Sequence, residues 1–109
     1  MKIIYNNIIP FKGFKAINLF GMLFVRKGMN ITDIDIRHEQ IHTAQQREML
    51  YVFFYLWYVI EWAIRLCLYR NAHKAYRNIS FECEAYNMQL DLLYLDDRKH
   101  YAWVKYLKK

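Results

Sequence analysis

The sequence predicts a mainly helical α+β fold in a single domain over residues 1–109. Strand-like apolar runs occur near the N-terminus, and an amphipathic pattern of helical period follows them. The remainder is strongly apolar and aromatic: hydrophobic residues make up 56% of the chain, with ten Tyr, seven Phe and three Trp. We therefore expect a small sheet or β-hairpin followed by helices around one modest core.

Two runs rich in branched and aromatic residues form the predicted sheet. They cover residues 1–5 and 16–26, and the turn-prone residues Pro10 and Gly13 separate them. Residues 27–30 read Lys-Gly-Met-Asn, which predicts a loop leading into the first helix.

The first helix is predicted to begin near Thr32 and to continue at least to Arg47. Thr32 is a favourable N-cap, and the two aspartates that follow it suit the positive end of the helix dipole. At 100° per residue, His38, Ile41 and His42 fall on one side of this helix, with polar residues roughly opposite. Both histidines are therefore expected to face the interior.

These histidines belong to the segment His38-Glu39-Gln40-Ile41-His42, which matches the H-E-x-x-H pattern of zinc peptidases. Imidazoles at i and i+4 of a helix lie one turn apart, where both can reach one Zn²⁺. The carboxylate of Glu39 then projects beside the metal, where it can accept a proton from a zinc-activated water. The spacing predicts a metal site and a general base together.

A structural interpretation of the same segment stands beside the catalytic one. His38 and His42 can be buried histidines whose nitrogens are satisfied by neighbouring groups. Glu39 would then form a surface ion pair with Arg37 or Arg47.

A catalytic zinc site usually takes three protein ligands, so a third must come from elsewhere in the chain. His73, His100, Cys67, Cys83 and the carboxylates of residues 80–86 are the available groups. If residues 80–95 form a helix with Ser80 near its N-cap, Glu84 lies on a polar stripe and is expected to be solvated. Glu82 instead lies between apolar arcs, where an ionised carboxylate needs a partner. We therefore predict Glu82 as the third ligand.

The motifs resemble those of the gluzincins, zinc peptidases in which a glutamate on a later helix joins the two histidines. Residues 82–86, Glu-Cys-Glu-Ala-Tyr, resemble the E-x-x-A-D element of prenyl-protein endopeptidase-like and heat-shock-type membrane zinc peptidases. Residues 38–46 resemble the H-E-x-x-H-x-x-Q-Q segment of small bacterial gluzincin-like domains. The resemblance covers roughly residues 30–96.

The resemblance implies a minimal zincin-like domain, in which the H-E-x-x-H helix packs on the glutamate-bearing helix. It also implies a zinc metalloendopeptidase that acts on a peptide or protein substrate. In zincins a strand before the active-site helix commonly pairs with an extended substrate, and residues 19–25 are the candidate here, unless they form a hairpin that only covers the helices. The alternative function is a non-catalytic zinc-binding protein, membrane-associated or regulatory.

Five further residues are weaker candidates for the site. Tyr86 stands where the family has an aspartate, and its phenol can offer a hydrogen bond but no charge. His73, Tyr76 and Arg77 precede the glutamate helix and are candidates for oxyanion stabilisation. Tyr101, beside His100 in a predicted terminal helix, is a candidate to polarise a substrate carbonyl.

Residues 49–60 form an unbroken apolar run that continues to residue 69, interrupted by Glu61 and Arg65. Twelve uninterrupted residues are fewer than the ~20 needed to span a bilayer, whereas the aromatic clusters are typical of membrane interfaces. This helix is therefore expected to be a core helix, a homodimer interface or a helix inserted in or lying on a membrane.

Charge and cysteine usage address partners and location. The net charge is +6, but the basic residues are scattered and accompany no nucleic-acid-binding motif, so we expect no nucleic-acid partner. Cys67 and Cys83 form no disulfide framework, and the N-terminus lacks the pattern of a signal peptide. We expect a protein that is not secreted and that resides in the cytoplasm or on the cytoplasmic face of the inner membrane.

Overall fold

The computed structural model describes residues 2–8 and 15–107, which form a three-stranded sheet followed by helices. The strands are β1 (Lys2–Asn6), β2 (Ala16–Leu19) and β3 (Met22–Arg26). The helices are α1 (Asp33–Glu48), α2 (Val52–Tyr69), α3 (Ala72–Arg77), α4 (Ser80–Met88) and α5 (Tyr94–Asp97), and a 3₁₀ helix covers Ala102–Tyr106. The predicted mainly helical α+β class is confirmed.

The sheet has the order β1-β3-β2, so β3 is central and β2 is an edge strand. β1 pairs with β3 in parallel, and β2 pairs with β3 as an antiparallel hairpin. Phe20 and Gly21 connect the hairpin with positive φ angles of 53° and 84°, the conformation that tight hairpin turns require. The predicted run 16–26 is therefore two strands, and the turn predicted at Pro10 and Gly13 lies outside the described residues.

Helix α1 begins as the sequence predicts, with a capping box at its N-terminus. The Thr32 hydroxyl accepts a hydrogen bond from the Asp35 amide at 3.1 Å, and the Asp35 carboxylate accepts one from the Thr32 amide at 3.1 Å. These reciprocal bonds satisfy two amides that the first helical turn leaves unpaired. They fix where α1 starts and hence which of its residues face inward.

The aromatic core lies where α2, α4 and the 3₁₀ helix meet. Phe54, Ile79, Phe81 and Trp103 form its buried cluster. The ring centroids of Phe54 and Phe81 are 4.5 Å apart, and those of Phe81 and Trp103 are 4.7 Å apart. This cluster holds α4 against α2 and so sets the position of Glu82.

The predicted helix over 80–95 is wrong in its length, because α4 ends at Met88. Beyond it, the Asp91 carboxylate accepts a hydrogen bond from the Leu93 amide at 3.0 Å, a local bond that competes with helix continuation. The chain reverses there and returns Arg98 to α4. Glu84 is consequently not solvated as predicted but fully buried, with 0% of its surface exposed.

Arg98 lies between two buried carboxylates. Its guanidinium donates hydrogen bonds to Glu84 and, at 2.8 and 3.1 Å, to Glu48 at the end of α1. The Tyr94 hydroxyl donates a further bond to Glu84 at 2.6 Å. One cation thus joins α1, α4 and the segment after α5.

We predict that Arg98→Ala lowers the free energy of unfolding by about 3–5 kcal/mol, because it leaves two buried carboxylates without their cation. Lys99→Ala, at an exposed neighbouring position, is the matched control and should change stability by less than about 0.5 kcal/mol. Urea denaturation of the three proteins measures the difference. Equal midpoints for Arg98→Ala and Lys99→Ala would contradict the structural role of this cluster.

Candidate metal site

Three predicted ligand side chains converge between α1 and α4. Nε2 of His38 and Nε2 of His42 are 3.1 Å apart. Oε1 of Glu82 lies 3.2 Å from the first nitrogen and 3.1 Å from the second. All three residues are buried, with 7%, 6% and 4% of their surfaces exposed. The i, i+4 spacing and the predicted phase of Glu82 therefore bring these groups to one point.

The protonation of His42 follows from its contact with Gln45. The Gln45 amide nitrogen faces two acceptors, the Phe81 carbonyl and the Glu84 carboxylate, each at 3.0 Å. Its amide oxygen, 2.8 Å from His42 Nδ1, must therefore accept, so Nδ1 carries the proton. Nε2 is therefore the His42 nitrogen that faces Glu82 and His38 and that a metal ion would bind.

His38 is held in a similar way from α4's end. Its Nδ1 lies 2.9 Å from the Gln89 side-chain oxygen, which fixes the orientation of the ring. Arg37 donates to the Gln89 carbonyl at 2.7 Å and so keeps Gln89 in place. A hydrogen bond on Nδ1 is the usual device that orients a metal-binding histidine and directs Nε2 at the metal.

The donor set fits a metal ion. Two Nε2 lone pairs and a carboxylate oxygen, buried and facing one another, are costly unless a cation lies between them. Ligand atoms around tetrahedral Zn²⁺ are about 3.3–3.6 Å apart, since the bonds to nitrogen and oxygen are about 2.0–2.2 Å. The observed separations of 3.1–3.2 Å are slightly shorter, so small side-chain shifts would admit the ion. A buried His-His-Glu group able to hold a metal ion is therefore present.

Without a metal, the His38, His42 and Glu82 group holds a proton where the cation would bind. Burial lowers the pKa of His42, but the Glu82 carboxylate and its hydrogen bond raise it more, to about 9. Burial raises the pKa of Glu82, but the interactions with His42 and His38 lower it by more, so the pKa lies well below its usual range. A metal ion that binds these ligands would have to displace that proton, so metal binding is expected to weaken as the pH falls.

The other ligand candidates from the sequence lie elsewhere. Cys67 is exposed on α2, and the Cys83 thiol is directed at the Arg77 carbonyl, 3.4 Å away. His100 is exposed and lies 3.6 Å from Glu48. The Glu84 carboxylate accepts hydrogen bonds from Arg98 and Gln45, so Glu84 is not the third metal ligand in place of Glu82.

Glu39 lies beside the group, and its side-chain carboxylate makes no hydrogen bond among the described residues, although its backbone carbonyl accepts bonds from Asn18 and Thr43. Within residues 2–8 and 15–107, neither Arg37 nor Arg47 pairs with its carboxylate, so the predicted alternative of a surface ion pair is not found. The side chain is half-buried and lines the cleft described below. Burial raises the pKa of the Glu39 carboxyl. A carboxylate with unused acceptor capacity beside a metal group is equipped to accept a proton.

Tyr58 is a site residue that sequence reasoning missed. Its hydroxyl donates to Oε2 of Glu82 at 2.7 Å, which leaves Oε1 for the histidines. In the sequence Tyr58 is one of many aromatic residues in the apolar run 49–60, and nothing in that pattern separates it from its neighbours. Its role depends on how α2 packs against α4.

We predict that Tyr58→Phe weakens zinc binding by about tenfold, because it removes the bond that orients Glu82 and keeps the ring. Tyr55→Phe is the matched control: the Tyr55 hydroxyl contacts β2, 2.9 Å from the Phe20 amide, and no ligand residue. Competition with a chromogenic chelator measures both affinities. A loss for Tyr55→Phe equal to that for Tyr58→Phe would show that the effect is not carried by Glu82.

The group lies at one side of a cleft of about 860 Å³. Its walls come from β2, α1, α2 and α3 and are mostly apolar, and the acidic and imidazole groups that line it are His38, Glu39, His42, His73 and Glu82. α2 supplies Phe54, Tyr55, Tyr58 and Trp62. The metal group is therefore accessible from a space large enough for an extended peptide segment.

The strand along this cleft is β2, not the predicted segment 19–25. Residues 22–25 belong to the central strand β3, whose two edges are already paired. Arg26 donates its amide to the Lys15 carbonyl at 3.2 Å, so alternation along the hairpin directs the backbone groups of Ala16 and Asn18 away from β3. The Asn18 side chain binds the Glu39 carbonyl at 2.8 Å and joins this strand to α1.

The pair Gln45-Gln46 has two separate tasks. Gln45 orients His42, whereas the Gln46 side-chain oxygen accepts a hydrogen bond from the Gly21 amide at 3.0 Å. The second contact fixes the turn of the β2–β3 hairpin onto α1. The resemblance over residues 38–46 included both glutamines, but it did not indicate these contacts.

Four of the weaker candidates lie around the site. His73 and Tyr76 line the cleft, and the Tyr76 and Tyr86 hydroxyls are 3.0 Å apart. The Tyr86 ring packs edge-on against His38 at 4.5 Å, and the Arg77 guanidinium lies 3.7 Å over the Tyr86 ring. Tyr86 thus supports His38 by packing, while Gln89 supplies the hydrogen bond.

Tyr101 does not reach the site. Its hydroxyl donates to the Glu48 carbonyl at 3.2 Å, and it lines a shallower depression on the outer side of α2. Tyr101 is held in this position because Glu48 contacts the segment that follows Arg98.

In comparisons with known proteins, no family model, curated protein or solved structure matches this chain. The comparisons therefore do not support the resemblance to gluzincins, and the structure shows only the buried His38, His42 and Glu82 group that could hold a metal ion.

Proposed function

We propose that this chain is a zinc-dependent metallopeptidase whose site is His38, His42 and Glu82, with Glu39 as general base. The observation that carries the proposal is the position of Glu39: a half-buried carboxylate, unpaired among the described residues, that lies next to three converging ligand atoms and lines a cleft. A metal that only joins helices prefers four closed protein ligands and needs no such base.

Two imidazoles and one carboxylate can bind zinc or iron, and the H-E-x-x-H spacing favours zinc. When bound, it would lower the pKa of a water molecule and polarise the substrate carbonyl. Glu39 accepts the proton of that water as the water attacks the carbonyl carbon, and then delivers the proton to the leaving amine. Tyr58, Gln45 and Gln89 hold the ligand side chains in place throughout the reaction.

The substrate is proposed to be a peptide that adds an extended strand to the outer edge of β2, which pairs with no other strand among the described residues. The outward-directed backbone groups of Ala16 and the amide of Asn18 would hydrogen-bond to it, whereas the Asn18 carbonyl already accepts a bond from the Tyr55 hydroxyl at 3.4 Å. The apolar walls would favour apolar side chains next to the cleaved bond. His73 and Tyr76, across the cleft, are placed to contact the substrate carbonyl.

Removal and return of the metal test this proposal. We expect the zinc-loaded full chain to cleave internal bonds in a peptide library, to lose this activity after chelation and to regain it with added Zn²⁺. Mass spectrometry of the products identifies the cleaved bonds. A zinc-loaded chain that cleaves no peptide would favour the alternative, a non-catalytic zinc-binding protein.

A further inference from the structure

The exposed side of α2 has the reverse of the usual surface composition. The exposed residues between Val52 and Tyr69 are all apolar or weakly polar: Val52, Phe53, Leu56, Trp57, Val59, Ile60, Ala63, Ile64, Cys67 and Leu68. The two charged residues of this helix, Glu61 and Arg65, are buried against the protein. A surface helix of a soluble protein places its charges outward and its apolar stripe inward.

The inward charges have structural partners. Glu61 accepts hydrogen bonds from the Ser80 amide and hydroxyl, each at 2.6 Å, and so caps the N-terminus of α4. Arg65 lies 3.6 Å from Glu61 and donates to the Leu107 carbonyl at 3.2 Å. These contacts fix the rotation of α2 about its axis, so the ten exposed residues are held outward.

We propose that this exposed face of α2, hereafter the α2 face, inserts into one leaflet of an anionic lipid bilayer, with the helix lying in the plane of the membrane. At 100° per residue the ten side chains cover about half of the helix circumference. A second helix would cover only a narrow stripe of that arc, whereas lipid covers all of it.

Packing favours a lying helix over a spanning one. By length and composition alone, α2 could cross a membrane. Its other half, however, packs against α4 and lines the cleft with Phe54, Tyr58 and Trp62. A spanning α2 would carry the polar group of His38 and Glu82 into the hydrocarbon, which is costly. Lying in the plane, α2 leaves the cleft on the aqueous side.

Charge complementarity identifies the lipid. Arg70 follows the last turn of α2, and α3 adds exposed Lys74 and Arg77, while residues 66–79 contain no acidic residue. The Lys74 ammonium lies 4.7 Å over the ring of Tyr69, so this end of the helix carries an aromatic residue and a cation together. Such an arrangement is typical of a segment at the level of anionic headgroups.

Vesicle sedimentation of the full chain tests the proposal without reference to catalysis. We expect the protein to sediment with mixed phosphatidylglycerol and phosphatidylcholine vesicles, and Ile60→Glu to bind them at least about tenfold more weakly. Ile34→Glu, an exposed isoleucine on α1, is the matched control and should bind as the parent does. The double variant Arg70→Gln/Lys74→Gln should lose affinity for the anionic vesicles in particular.

Labelling of the parent gives a second readout that needs no substitution. Cys67 is exposed on the α2 face and Cys83 is buried, so a thiol-directed nitroxide attaches to Cys67. Vesicles should raise its accessibility to oxygen and lower its accessibility to a water-soluble nickel complex. A label that stays accessible to the nickel complex in the presence of vesicles would overturn the proposal. A stable dimer in buffer, with spin–spin broadening that vesicles do not change, would also overturn it and would assign the α2 face to contact with a second copy of the chain.

Discussion

Glu39→Gln is expected to retain its zinc and its thermal stability while peptide hydrolysis falls by at least about a hundredfold, the usual scale for loss of a general base. The substitution keeps the size of the side chain and removes only its ability to take a proton. Because Glu39 is not one of the three converging ligands and its carboxylate makes no hydrogen bond within the described residues, neither metal binding nor packing should change.

Asp33→Asn is the matched control for this variant, since it removes an exposed carboxylate of the same helix far from the metal group. It should cleave peptides at the parental rate. The rate of hydrolysis at saturating substrate, measured with equal zinc loading, gives the comparison. If Glu39→Gln cleaves as fast as the parent, the proposed mechanism is wrong.

His38→Ala and His42→Ala are each expected to weaken zinc binding by more than about a hundredfold, because a site of three protein ligands loses one of them. Zinc should raise the unfolding temperature of the parent and leave those of both variants unchanged, since only binding to the folded state stabilises it. Chelator competition and thermal unfolding with and without zinc measure the two effects.

His73→Ala is the control for the histidine variants. His73 lines the cleft and is exposed, but it is not part of the converging group. It should bind zinc as the parent does. Equal losses in His73→Ala and His42→Ala would indicate non-specific binding of zinc by histidines, and would contradict the site.

Local patterns were sufficient to predict the metal group. The capping signal at Thr32 fixed the phase of α1, and the i, i+4 spacing then placed His38 and His42 on its inner side. Glu82 could be predicted because its neighbours on the helical wheel are apolar, and the structure buries that face of α4. Each of these inferences depends on residues within a few positions of one another.

The errors came from contacts between distant segments. Glu84 was predicted to be solvated because its helical neighbours are polar, but Arg98, fourteen residues later, returns to neutralise it. Tyr58 and Gln89 contact the ligand residues only through the packing of α2 and the end of α4 on the site. The cleft edge was predicted at residues 19–25 because this strand-like segment precedes the helix of the histidines. The turn at Phe20 and Gly21, a weak signal within an apolar run, instead divides the segment between β2 and β3.

The metal content of the parent protein, purified without chelators, is the measurement that tests the central claim most directly. Elemental analysis should find about one zinc per chain, as expected for one group of three converging ligands. A chain that is purified without metal and takes up no zinc when titrated with it would contradict the assignment of His38, His42 and Glu82 as a metal site.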